Sequence, residues 1–246
     1  MESRLSTIEK LKCIPWLIAH NGFNAVFCVF TFIGSIFILF LSELGFDKSR
    51  IGFLMSLFPF CGVIALLAAP TVARFGYKRT TLICLGLRKF VLVFLLLTPW
   101  ILTRYGKDGA FFWVAGILFL FAVFRAVAET AIYPWQQEFI PDYLRGKVSA
   151  FTSILTTGVT ILAVLFASYI INHYTSWGLH RYIFLISVGI ASGFVSVACF
   201  KFIPGGESQP AQKIGLAYFQ GMVRSFSDRN YRVLLIGLAL VMLGIS

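Results

Sequence analysis

Two pairs of polar residues lie inside segments of the sequence that are otherwise apolar. Arg125 and Glu129 are four residues apart, so in a helix they share one face and can form an ion pair. His20 and Asn24 have the same spacing, and Thr156 stands in a row of threonines that recur at every fourth residue. Ionisable groups at membrane depth are costly, and they usually mark the path of a substrate, an ion or a proton. We therefore predict that these five residues contact a substrate or a proton along such a path.

Each of these residues also has a structural interpretation. Arg125 and Glu129 can form an ion pair that never touches a substrate, and a polar cluster is common where a first helix enters the membrane. Threonine hydroxyls often donate to a carbonyl of their own helix. Arg88 and Lys89 form a further charged pair in an apolar segment. For these two we predict that the long side chains extend to the membrane surface.

The elements that carry these residues are long apolar segments. Hydrophobic residues make up 59% of the chain and charged residues 13%, against roughly 45–50% and 25% in soluble domains. Mean hydropathy is +0.86. A helix needs about 20 apolar residues to cross a bilayer. The segments of this length, numbered span one to span six, are residues 13–42, 51–73, 80–103, 111–132, 148–171 and 182–202. The sequence therefore predicts an all-α polytopic membrane protein.

The net charge of +11 is distributed over the links between spans. Most Lys and Arg residues fall before span one, in the second and fourth links and after span six. Cytoplasmic loops of membrane proteins carry an excess of Lys and Arg. We therefore predict a multi-pass protein of the cell membrane with its N-terminus in the cytoplasm. Because topology accounts for the charge, a nucleic-acid partner is not expected.

Motifs of enzymes and metal proteins are missing from the sequence. It contains no P-loop, no H-E-x-x-H and no G-x-S-x-G, and its five cysteines form no C-x-x-C pair. We therefore predict no enzymatic activity, no cofactor and no metal site.

The link between spans two and three carries a sequence motif. Residues 69–79 resemble G-x-x-x-D-R-x-G-R/K-R/K-R/K, the signature loop of the major facilitator superfamily, at the place where that family has it. The matching residues are Arg74, Gly76, Lys78 and Arg79. Ala69 stands in place of glycine. Ala73 stands in place of the aspartate that, in the family, helps to hold the inner charge network in one state of the transport cycle.

The link between spans four and five carries a second motif. Residues 138–146 resemble the E-x-x-P-x-x-x-R-G pattern that sugar porters and many other members of the superfamily have there. The matching residues are Glu138, Pro141, Arg145 and Gly146. The resemblance implies that the two loops form an inner gate, whose ion pairs hold in one state and break in the other. The alternative is that these charges are solvated by water and only set the topology.

The resemblance extends over the whole chain as the amino-terminal half of a 12-helix transporter. Residues 13–203 would form a six-helix bundle. A three-plus-three repeat is indicated by Asp47-x-x-Arg50 before span two and Asp142-x-x-Arg145 before span five. The other predicted regions are a cytoplasmic N-terminus (1–12), a cytoplasmic linker that is either an amphipathic surface helix or irregular chain (204–232), and the truncated start of a seventh span (233–246).

The implied function is secondary active or facilitative transport of a small solute by alternating access. The expected partners are a small-molecule substrate, a co-transported proton or cation as an open alternative, the lipid bilayer, and a second six-helix bundle. A rival interpretation is a membrane docking or assembly module, or a half-size partner, that keeps the fold without transporting. Ala73 and the unfinished seventh span favour this rival.

Overall fold

The protein is helical wherever its secondary structure is described. The computed structural model describes residues 7–32, 34–206, 232–233 and 237, and the chain divides into the units Met1–Ser208 and Gln209–Ser246. The helices of the first unit are α1 (Thr7–Thr31), α2 (Ser35–Glu43), α3 (Lys48–Cys61), α4 (Ile64–Phe75), α5 (Tyr77–Val93), α6 (Thr98–Phe139), α7 (Arg145–His173) and α8 (His180–Lys201). In the second unit Arg232, Val233 and Gly237 are helical. Nearly all of the predicted linker and of the seventh span lies outside the described residues.

Four helical segments are long and apolar enough to cross a membrane: Leu11–Glu43, Tyr77–Phe139, Arg145–His173 and His180–Lys201. Together they contain the predicted spans other than span two, to within one residue at the end of span six. That span is divided at Gly62 into α3 and α4, each too short for a full crossing. The prediction of an all-α membrane protein is confirmed, whereas the count of six crossings stays a prediction.

The longest of these segments contains a reversal of the chain. Tyr77–Phe139 has 63 residues, which would be about 95 Å long as one straight helix, roughly three times the thickness of a bilayer core. At Gly106 the backbone has φ +70° and ψ −170°, a conformation that favours glycine. Beyond it, Trp113 Nε1 donates a hydrogen bond to the carbonyl oxygen of Phe94 at 3.2 Å. The chain on the two sides of Gly106 therefore lies side by side, as predicted spans three and four require.

Local sequence explains where the helices of span two begin and end. Asp47 caps α3, because its carboxylate accepts a hydrogen bond from the backbone N–H of Arg50 at 3.4 Å. Pro59, which has no N–H and whose ring crowds the preceding turn, lies in the last turn of α3, and this helix ends at Cys61. The second copy of the predicted repeat differs, because a 3₁₀ turn over Asp142–Leu144 precedes α7.

The core is rich in aromatic side chains from α1 and α6. Phe27, Phe32 and Phe121 are buried, and the Phe32 and Phe121 ring centroids are 4.7 Å apart. On the other side of α1, a Cβ placed on Gly189 of α8 would lie 2.8 Å from Cβ of Phe30. Gly189 and Gly193, four residues apart on α8, therefore form a small-residue contact with α1. It brings α1 and α8 close enough to position the polar groups described below.

Helix α7 contributes little to this core. Its apolar side chains Ile154, Leu162 and Leu165 are 73%, 68% and 61% exposed. An apolar surface of this kind is what a membrane helix presents to lipid or to another membrane segment. The core of the bundle therefore depends mainly on α1, α5, α6 and α8.

Candidate functional site

Two cations converge on one neutral oxygen inside the bundle. Arg88 Nη2 and Lys89 Nζ, both from α5, each donate a hydrogen bond to Asn24 Oδ1 of α1 at 3.2 Å. The Asn24 amide nitrogen in turn donates to Cys28 Sγ at 3.5 Å. We call Asn24, Arg88, Lys89, Arg125 and Glu129 the polar centre.

Both cations are buried among aromatic rings. Arg88 is 6% exposed and Lys89 is 0% exposed. The Lys89 ammonium lies 4.2 Å from the ring centroid of Phe27, and the Arg88 guanidinium lies 5.5 Å from Phe27 and 5.6 Å from Phe121. Such contacts stabilise a cation through the negative face of the ring. The prediction that these two side chains extend to the membrane surface is wrong, because α5 directs them into the bundle.

A glycine on α8 makes this inward course possible. A Cβ on Gly193 would lie 2.8 Å from Lys89 Cε, 3.1 Å from Lys89 Cδ and 2.7 Å from Phe27 Cδ2. Contacts under 3.0 Å force a neighbour to move. The Lys89 stem can therefore pass α8 and reach Asn24 only because residue 193 has no side chain.

In the described part of the chain, no carboxylate lies within ion-pair distance of Arg88 or Lys89. The carboxylates that form ion pairs there do so with other arginines: Asp47 and Asp108 with Arg50, Glu129 with Arg125, and Glu43 with Arg181. In addition, Arg88 Nε is buried without a hydrogen-bond partner. The centre therefore holds more positive than negative charge.

The predicted ion pair on span four is present. Arg125 Nε donates to Glu129 Oε1 at 2.7 Å, and the two side chains are 33% and 45% exposed. The Arg125 guanidinium also lies 5.8 Å from the ring centroid of Phe32. Phe121 lies one turn before Arg125 on the same helix face and contacts both Phe32 and the Arg88 guanidinium. The pair thus lies next to the two buried cations, on the more open side of the centre.

His20 connects two helices. It is 4% exposed, and its Nδ1 lies 2.9 Å from both the carbonyl oxygen and Oγ of Ser196 on α8. Its ring also contacts Phe200 edge-on at 3.7 Å between centroids. These contacts give His20 a structural role in holding α1 against α8, and substrate contact by His20 stays a prediction.

Thr156 bonds to its own helix. Its hydroxyl donates a hydrogen bond to the carbonyl oxygen of Thr152 at 2.9 Å, and the carbonyl oxygen of Ser153 lies 3.1 Å away. This is the structural alternative considered for the threonine row, and a contact of Thr156 with substrate stays a prediction. The Thr152 hydroxyl, by contrast, is buried without a partner.

A polar cavity lies one turn toward the inner loops from the centre. Its volume is about 330 Å³. It is lined by Leu17, Asn21, Tyr133, Gln136, Gln137, Ile140, Arg145, Val148, Ser149, Thr152 and Ser153. Asn21 lies one turn from Asn24 on α1, and Tyr133 lies one turn from Glu129 on α6. The cavity therefore approaches the exposed side of the centre.

The two motif loops are joined through the backbone of Gly206. Its N–H donates to Glu138 Oε2 at 2.9 Å, and its carbonyl oxygen accepts from the Lys78 N–H at 3.1 Å. Trp135 Nε1 donates to the neighbouring Pro204 carbonyl oxygen at 3.1 Å. We call these three hydrogen bonds the inner clasp. The predicted direct ion pairs between the two loops are not formed among the described residues, because Glu138 bonds to the Gly206 backbone instead.

The remaining motif residues form the ends of helices. Gly76 is buried, has φ +92° and separates α4 from α5, while Arg74 and Arg79 beside it are exposed. Pro141 is buried before α7. Arg145 Nη2 donates to the carbonyl oxygen of Gln137 at 2.9 Å, which joins the start of α7 to the end of α6. Gly146 is exposed in the first turn of α7.

Sequence reasoning missed the residues that complete the centre. Arg88 and Lys89 were visible as charges within a span, but their direction depends on Gly193 of a distant helix. Ser196 and Gly206 had no signal at all, because each acts through its position opposite another element.

The fold and these buried charges define a class of protein. The chain is a multi-pass helical membrane protein whose interior holds arginine and lysine side chains beside a polar cavity.

The family follows from comparison with known proteins. The model of the Major Facilitator Superfamily matches residues 18–246, so the chain belongs to that superfamily. Its members are transporters of small molecules, not enzymes, and the chain has a transporter-type function in a membrane. No curated protein and no solved structure matches it.

Proposed function

We propose that the protein carries a small solute across the cell membrane by alternating access, as a secondary active or facilitative transporter. The observation that supports this most directly is the polar centre, because buried charges within a membrane bundle are retained where a solute or ion passes. The bundle of α1–α8 works against a second six-helix bundle in this proposal, with six crossings and the N-terminus in the cytoplasm. The substrate then lies between the bundles, on the side where Asn24, Arg125 and Glu129 are partly exposed.

The inner clasp suits a gate that opens and closes. It consists of three hydrogen bonds, of which only the one to Glu138 involves a charged group. Hydrogen bonds contribute about 0.5–1.5 kcal/mol each, and about 1.5–3 kcal/mol when one partner is charged. A set of this strength can bias two states that differ by a few kcal/mol without locking either one. When the inner side opens, the hydrogen bonds that join Gly206 to Glu138 and to Lys78 would break.

Coupling to a proton or cation is a second element of the proposal. Glu129 is the carboxylate of the polar centre, and its side chain is 45% exposed. A carboxylate that exchanges one partner for another during the cycle can release Arg125 and bind a proton or cation. Breaking of the Arg125–Glu129 pair would then couple the binding of the proton or cation to the movement of the gate.

Cys28 allows a test that needs no knowledge of the substrate. It is partly exposed and lies beside Asn24. The full-length protein would keep Cys28 alone, with Cys13, Cys61, Cys84 and Cys199 of this chain, and any further cysteines, replaced. Membrane-impermeant maleimide would then be added to right-side-out and to inside-out vesicles. Alternating access predicts labelling from both sides, in separate states.

The competing function is a docking or assembly module that keeps the fold. The observation that favours it is Ala73, which replaces the motif aspartate of the inner gate. A static module predicts labelling of Cys28 from one side only or from neither. That result would refute alternating access.

A further inference from the structure

Arg88 and Lys89 direct their positive charge at an acceptor that cannot neutralise it. Asn24 Oδ1 receives a hydrogen bond from each cation at 3.2 Å, but the amide is uncharged. From this arrangement we propose that the polar centre is a binding site for an oxyanion, and that the substrates are small carboxylates, phosphates or sulfonates. The proposal rests on the transport function above and adds the class of substrate.

The charge balance of the centre supports an anionic ligand. Arg88 is protonated at every physiological pH, and Glu129 is already paired with Arg125 at 2.7 Å. The centre therefore carries excess positive charge from Arg88, and from Lys89 as well when it is protonated. A buried charge without a partner is costly. An anion that enters the centre supplies the missing negative charge, whereas a cationic substrate would add to the repulsion.

The donors also favour an oxyanion over a monatomic anion. Arg88 Nε is buried with no hydrogen-bond partner, while Nη2 of the same guanidinium bonds to Asn24. These two nitrogens form one edge of the planar guanidinium, the edge that pairs with two oxygens of a carboxylate or phosphate. An oxyanion can satisfy Nε at once and displace Asn24 from Nη2 and from the Lys89 ammonium.

The approach to the centre is compatible with a negatively charged solute. Among the described residues, the lining of the 330 Å³ cavity consists of amide and hydroxyl groups, Arg145 and three aliphatic side chains, with no Asp or Glu. It has the size of sites that hold small organic molecules. The buried Thr152 hydroxyl is an unused polar group of this lining.

The experiment uses protection of Cys28 in the single-cysteine protein. Vesicles of neutral phosphatidylcholine would be treated with impermeant maleimide at constant ionic strength in potassium chloride. The additions are potassium phosphate, sulfate or benzoate, with tetramethylammonium chloride and glucose as cationic and neutral comparisons. We expect at least one oxyanion to slow labelling saturably, and neither comparison solute to do so.

Two variants connect protection to the cations. Lys89→Met keeps the length of the buried side chain but removes its charge, and Arg88→Gln removes the guanidinium. Lys201→Met makes the same change as Lys89→Met at an exposed position on α8. Loss of one charged hydrogen bond raises the half-protecting anion concentration about 10- to 100-fold in the first two variants. In Lys201→Met the concentration should match that of the parent.

Several results overturn the anion site. The first is that no oxyanion protects Cys28, and the second is that tetramethylammonium or glucose protects it more strongly. The third is that Lys89→Met and Arg88→Gln are protected at the same anion concentration as the parent protein.

Vesicles that contain phosphatidylglycerol distinguish a lipid headgroup from a soluble anion. Protection that appears only in these vesicles assigns the centre to lipid and rejects the substrate proposal. Labelling from both sides without anion protection rejects the anion site but leaves alternating access standing. Labelling from one side only rejects alternating access, while anion protection can still be read from that side.

Discussion

Gly193→Ala should disturb the polar centre through packing alone. The added Cβ would lie 2.7 Å from Phe27 Cδ2, 2.8 Å from Lys89 Cε and 3.1 Å from Lys89 Cδ. Phe27 is 0% exposed and cannot retreat into a void, and the Lys89 stem is also enclosed. Either α8 moves away from α1, or Lys89 withdraws from Asn24.

The structure sets the size of the effect. Overpacking a well-filled core typically costs about 1–3 kcal/mol. If Lys89 leaves Asn24, a charged hydrogen bond worth about 1.5–3 kcal/mol is lost as well. At about 2–4 °C per kcal/mol for a domain of this size, the two losses together lower the melting temperature by about 5–24 °C.

The measurement is thermal unfolding of the detergent-solubilised protein, followed by the loss of monodisperse material on size-exclusion chromatography. Gly116→Ala is the matched control, since it makes the same change inside α6 where a Cβ would meet nothing within 4 Å. Alanine is favoured over glycine in a helix by roughly 0.5–1 kcal/mol. We therefore expect Gly116→Ala to melt at the parent temperature or slightly above it.

A combined variant separates the two sources of the loss. If the collision with Lys89 dominates, adding Lys89→Ala to Gly193→Ala removes the clash, and the two changes will cost less together than the sum of their separate effects. Equal melting temperatures for Gly193→Ala and Gly116→Ala would refute the claim that residue 193 must lack a side chain. Strict additivity would instead place the strain on Phe27.

Three further predictions concern the gate and the ion pair. Arg125→Gln and Glu129→Gln should each leave the melting temperature almost unchanged, because a partly exposed pair at this spacing contributes about 0.3–0.5 kcal/mol. Both variants should nevertheless impair the labelling of Cys28 from the two sides of the membrane. Normal labelling in both would show that these residues do not belong to the transport path. Glu138→Gln replaces a charged hydrogen bond to Gly206 by a neutral one, so labelling from the inner side should become faster, and an unchanged rate would argue against the inner clasp. Gly206→Ala should also speed labelling from the inner side and should lower stability, since the φ of Gly206 is +72° and a Cβ would lie 2.7 Å from the Lys78 nitrogen. Gly178→Ala is the control, because Gly178 has φ +50° but open space around it. This control should change stability less and leave labelling from the inner side unaltered.

The sequence by itself determined the class of protein and located its apolar segments, although not the break at Gly62 within span two. Long apolar segments are insoluble in water, and in lipid their backbone N–H and C=O groups must be hydrogen-bonded within the protein. Composition and segment length alone therefore predict a helical membrane protein. The loop motifs at 69–79 and 138–146 were sufficient to indicate the superfamily. The Arg125–Glu129 pair was equally predictable, because both residues belong to one helix and helical spacing brings them together.

Only the tertiary structure decided which charges meet inside the bundle. Arg88 and Lys89 face Asn24 because α5, which packs against α6 and α8, directs these two side chains toward α1, and Gly193 leaves room for the lysine stem. The same applies to Gly206, which joins Glu138 to Lys78 through backbone atoms that any residue possesses. Spacing along the chain reports contacts within one helix, whereas contacts between helices depend on packing shape and on residues distant in sequence. For this reason the gate loops could be recognised in the sequence, while the positively charged centre could be recognised only in the fold.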